Sequence, residues 1–112
     1  MKITIDPKDL VRKIERELED IQSFRCNIMD HMTTMLEADD EDHILSLAKG
    51  IAFNKRLENI TFVRISAWLE LVGFYDEGNE IITVDVIEEK LDQLRMIANA
   101  DDTKANERTD ST

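Results

Sequence analysis

Between Pro7 and Leu36 the apolar residues recur at Val11, Ile14, Leu18, Ile21, Ile28, Met32 and Met35, at intervals of 3, 4, 3, 7, 4 and 3. Alternation of three and four places all of them on one stripe of an α-helix and would scatter them over both faces of a strand. The opening of this chain is therefore one long helix with a coiled-coil-like heptad pattern, in which Arg25 takes one stripe position. Lys13, Glu15, Arg16 and Glu17 flank the first half, as they would a two-helix seam. Phe24, Met29 and Leu36 widen the second half, as in a helix packed into a globular core. Val11, Ile14, Leu18, Ile21, Arg25 and Ile28 are the expected seam for a partner or a second copy, and Ile14→Asp with Ile21→Asp is expected to give a monomer.

Around this helix the signals are local. Asp6 is a suitable N-cap and Pro7 a suitable first helical residue. Residues 37–42 carry five acids in six positions and read as a loop, with Asp39 or Asp40 capping the next helix. Ile44, Ala48, Ile51 and Ala52 form one stripe; Phe53, Leu57, Ile60, Ala67 and Leu71 form another, about 160° away at 100° per residue. Either the helix breaks between Asn54 and Asn59 or one long helix meets different neighbours at its two ends; the favoured reading is a break at Asn59, and hence a central, buried helix pair. Residues 60–72 are apolar nearly all round, and Phe62, Ile65 and Trp68 are expected in the core. Gly73 is the expected terminator. Ile82-Thr83-Val84-Asp85 echoes Ile3-Thr4-Ile5-Asp6, so a short turn or β-hairpin is expected near 74–84, with strands at 3–5 and 81–84 able to pair. Asp85 and Glu88 suggest a capping pair for a last helix carrying Ile87, Leu91, Leu94 and Ala98. That helix is expected to stop near Asn99, leaving 100–112 as a disordered polar tail beyond a single mainly α domain at 1–99.

Charge narrows the function classes. With 14 Lys and Arg against 25 Asp and Glu, the net charge is −11. That balance argues against a conventional nucleic-acid-binding module, whose affinity comes from cationic side chains meeting phosphates. The charge is segregated: residues 49–64 hold Lys49, Lys55, Arg56 and Arg64 against Glu58 alone, a net +3 in an otherwise acidic chain. These cations are expected to neutralise acidic neighbours inside the fold or in a dimer. The single Cys26 fits a reducing compartment and excludes an intrachain disulfide. No apolar run follows Met1-Lys2, and no stretch could span a bilayer, so a cytoplasmic location with no membrane contact is expected.

Candidate chemistry is sparse. His31 and His43 have no neighbouring thiolates to make a zinc site, and three glycines cannot build a P-loop or a dinucleotide cradle. No spacing among Cys26, Ser23 and the histidines suggests a nucleophile with its base. A guanidinium inside an apolar stripe is costly unless paired, so Arg25 and Arg64 either fix register or oligomer state, or pack their stems while their heads reach solvent or a carboxylate. Met29, Met32 and Met35 read as core filler, with an adaptable binding surface as the alternative.

Glu17-x-x-Asp20 and Glu37-x-x-Asp40 place carboxylates three apart, so each pair shares a helix face. The arrangement resembles the E-x-x-E…E-x-x-D pattern of the all-α NTP pyrophosphatases, the MazG-like family. That resemblance implies Mg²⁺ held by these acids and hydrolysis of a nucleotide. The family's acids project from mid-helix, whereas 37–42 reads here as a loop. The reading favoured by the residues is binding, with no cofactor, no metal and no catalysis: a small acidic helical regulator or adaptor acting on another protein, as a homodimer. A second reading is an acidic inhibitor that mimics nucleic acid, in the manner of small phage-encoded host-takeover and anti-defence proteins. It would present Glu37, Asp39, Asp40, Glu41, Asp42, Asp76, Glu77 and Glu80.

Overall fold

In a computed structural model, which describes residues 6–75 and 81–110 (the last ten as backbone only), the chain is mainly α. Three helices follow one another: α1 (Pro7–Glu37), α2 (Glu41–Leu71) and α3 (Val84–Asp110). Contacts divide the chain into two compact units: Met1–Glu15 with Ile65–Thr112, and Arg16–Arg64. The first draws on all three helices and the second on two.

The caps show why the helices begin and end where they do. Lys8 N–H donates to Asp6 Oδ1 at 3.0 Å, and Leu10 N–H closes the first turn on the Asp6 carbonyl. Asp40 does the same for α2, accepting from Asp42 N–H at 3.2 Å while its carbonyl accepts from Ile44. At the end of α2, Gly73 takes φ +79°, a conformation that side chains resist. Gly73 N–H then reaches the Glu70 carbonyl and Phe74 N–H the Leu69 carbonyl, a Schellman ending.

In the three-helix unit each helix contributes its periodic residues: Leu10, Val11 and Ile14 from α1, Ile65 and Leu69 from α2, and Ile87, Leu91, Leu94 and Ala98 from α3, all buried along with Tyr75. Fully buried aliphatic side chains stabilise by about 1.5–3 kcal/mol each. The two-helix unit buries less: Ile21 and Ile28, together with the polar residues Glu17, Asn54 and Thr61.

Several sequence expectations are corrected. α2 is one helix through Asn59, not a pair. The shift of its apolar stripe reflects which sides are apolar, and nothing in 41–71 stops the backbone: there is no proline, and Gly50 is tolerated. Nor is 60–72 buried all round; Ile60, Val63 and Leu71 are exposed, and Phe62 and Trp68 are half-buried. Among the described residues there is no strand, and 81–83 is irregular chain. Residues 3–5 and 76–80 lie outside the described residues, so the pairing of 3–5 with 81–84 does as well. The cap of α3 is Thr83, not Asp85: its hydroxyl accepts from Val86 N–H at 3.2 Å and its carbonyl from Ile87 N–H at 3.0 Å. α3 also continues to Asp110, past the expected end at Asn99. No glycine or proline follows Asn99, and two alanines at 100 and 105 favour continuation.

Candidate protein-binding surface on the two-helix unit

Val11, Ile14, Ile21 and Ile28 are buried within a single copy, and Leu18 is half-buried. These four side chains of the α1 stripe are thus core of the chain itself. Arg25 is exposed, and its head turns to a carboxylate: Nε and Nη2 each donate to Glu58 Oε1 at 3.3 Å, with the guanidinium 5.7 Å from the centre of the Phe62 ring. Arg64 Nη1 donates to Glu17 Oε1 at 2.8 Å. Both arginines therefore reach acids while their stems lie along the helices.

These pairs belong to a longer polar ladder. Asn27 Nδ2 donates to Asn54 Oδ1 at 3.2 Å, and Asn54 Nδ2 donates in turn to the Gly50 carbonyl at 2.8 Å. The imidazole of His31 lies against Gly50, so close that a Cβ there would fall 2.9 Å from its Cδ2 and Nε2. Glu17 meets Arg64, Asn27 meets Asn54 and His31 meets Gly50: each advance along α1 is matched by an equal retreat along α2. The unit is an antiparallel helical hairpin whose register is held by polar contacts, a role polar residues serve in helix pairs.

With the polar ladder facing inward, apolar residues face water. Met29 is 63% exposed, Met32 50% and Leu36 89%. They sit at three- and four-residue intervals and so form one row on α1. Beside the row opens a groove of about 440 Å³, lined by Arg25, Ile28, Met29, Lys55 and Glu58. Met29 and Met32 are not core filler; Met35 is half-buried. The stripe did not reveal this: Met32 belongs to it and is exposed all the same, and Met29 and Leu36, expected to widen a core-facing side, face water.

The basic segment also differs from expectation. Arg64 is paired, but among the described residues no carboxylate lies within ion-pair distance of Lys49, Lys55 or Arg56. Glu37, Asp39, Asp40, Glu41 and Asp42 are all exposed around the α1–α2 turn, with Asp40 engaged as a cap. Asp76, Glu77 and Glu80 lie outside the described residues.

The carboxylate pairs of the pyrophosphatase pattern are not brought together. Glu17 is engaged by Arg64, and Glu37 stands at the far end of the same helix, about 30 Å away at 1.5 Å per residue. Among the described residues no group of three His, Cys, Asp or Glu side chains could hold a metal ion. No helix among them is long and apolar enough to cross a membrane. No family model, curated protein or solved structure matches the chain.

Proposed function

We propose that this chain works by binding another protein, as a small helical regulator or adaptor. The observation that carries the reading is the exposed row of Met29, Met32 and Leu36 beside the groove of the two-helix unit. Contiguous exposed apolar surface marks interaction sites, and unbranched, polarisable methionines adapt to varied partner side chains. An amphipathic helix laid into such a groove is a recurrent mode of recognition. The test is a tagged pull-down with the parent chain and with a Met29→Ser, Met32→Ser, Leu36→Ser variant, washed at low and high salt. One stoichiometric protein retained at high salt by the parent and lost by the variant is the expected result. Equal retention by both removes the groove from the reading.

A second reading rests on the acidic turn. Glu37, Asp39, Glu41 and Asp42 project into solvent with no cation paired to them among the described residues. An inhibitor occupying a basic groove of a nucleic-acid-binding protein would use such a cluster. Its binding would fall steeply with salt, nucleic acid would compete, and Glu37→Gln with Asp39→Asn and Glu41→Gln would weaken it while sparing the Asp40 cap.

A further inference from the structure

We propose that the outward side of α2, from Lys49 to Val63, is a second docking surface that takes an acidic amphipathic helix of a partner protein. Lys49, Phe53, Arg56, Ile60 and Val63 follow one another at intervals of 4, 3, 4 and 3. That is the spacing of a two-helix seam, here on the side of α2 turned away from α1, since Asn54 and Thr61 are the buried residues of this stretch. Phe53 is 58% exposed, Ile60 46% and Val63 67%. The seam runs about 21 Å at 1.5 Å per residue, enough for four helical turns of a partner.

Charge selects the occupant. Lys49 and Arg56 stand within the seam, and no described carboxylate is paired with either. The only acid between 49 and 64 is Glu58, which Arg25 already engages. A second copy laid on this face would add Lys49 and Arg56 again and no carboxylate, since the seam itself carries no acid. A helix with apolar residues at the seam and Asp or Glu beside it would meet each cation with an opposite charge. At physiological salt, fields decay over about 8 Å, so these local cations govern docking and the net −11 of the whole chain does not.

The experiment uses the full chain and two fluorescently labelled 21-residue peptides at nanomolar concentration. They share one leucine stripe at heptad spacing and differ only in carrying Glu or Lys beside it. Fluorescence polarisation should show the Glu peptide binding at least tenfold more tightly than the Lys peptide. Lys49→Glu with Arg56→Glu should reverse that preference, and Phe53→Ser with Ile60→Ser should abolish binding with helicity retained by circular dichroism. Met29→Ser with Met32→Ser should leave it unchanged, which separates this surface from the methionine groove. Equal binding of the two peptides, no binding of either at 100-fold excess over micromolar, or loss of binding only in the methionine variant would overturn the proposal. So would a dimer in sedimentation that Phe53→Ser with Ile60→Ser converts to a monomer, which would assign the face to a second copy.

Discussion

Gly50 is the residue on which the register of the hairpin turns. Inside a helix, alanine is favoured over glycine by about 1 kcal/mol. Here an added methyl would meet the His31 imidazole at 2.9 Å, so the ring must move or the helices part. Overpacking of that kind costs about 1–3 kcal/mol. Gly50→Ala is therefore expected to be neutral to destabilising in the parent chain and stabilising by about 1 kcal/mol beside His31→Ala. A double-mutant cycle by thermal or denaturant unfolding measures the difference; simple additivity would mean that ring and glycine do not meet. No sequence pattern shows this contact. His31 and Gly50 are each unremarkable in their own helix, and only the antiparallel register brings them together. The ion pairs Glu17–Arg64 and Arg25–Glu58 were half legible: an arginine in an apolar stripe must send its head to solvent or to a carboxylate, and the spacing does not say which.

At the scale of the element, caps were readable because they are local. Asp6 and Asp40 each sit two residues before the amide they accept, so the signal and its consequence share one turn of chain. The continuity of α2 was less readable, because apolar periodicity reports which side of a helix is apolar and not whether the backbone continues. The two accounts of Asn59 differ in sign on substitution. At a cap, Asn59→Ala would cost about 1 kcal/mol; on the exposed interior of a continuous helix it should stabilise by about 0.5 kcal/mol. Thr83→Ala, which removes the observed cap of α3, should cost about 1 kcal/mol, and Asp85→Ala much less. Chemical unfolding of the three variants separates these cases. The α1 stripe carries a similar lesson: its spacing required that something cover it without saying what. Since Ile14 and Ile21 have no exposed surface in one copy, Ile14→Asp with Ile21→Asp should abolish the helical signal in circular dichroism. A folded monomer of lower mass would restore the stripe to a dimer interface.

For the molecule as a whole, the division of apolar burial between the units has a dynamic consequence. Among the described residues the three-helix unit buries ten hydrophobic side chains and the two-helix unit two, Ile21 and Ile28, with the polar residues Asn54, Thr61 and Glu17 buried beside them. Net charge and the chain-wide apolar content could not have shown this, because both average over the units. Segments that bury few apolar groups open at lower free energy than the global transition, and binding surfaces are drawn from that low-stability end. Amide hydrogen exchange followed by mass spectrometry should therefore find slow exchange over 65–71 and 87–98. Faster exchange is expected over 25–36 and 44–60, where methionine, leucine, phenylalanine and isoleucine side chains face water. A partner that covers either surface of the hairpin would supply apolar contact the single chain lacks. It should slow exchange there, by the factor its affinity and concentration set, and leave the three-helix unit nearly unchanged. Uniform protection in the isolated chain would contradict the thin core. If that protection faded on dilution, a second copy would be what covers the hairpin.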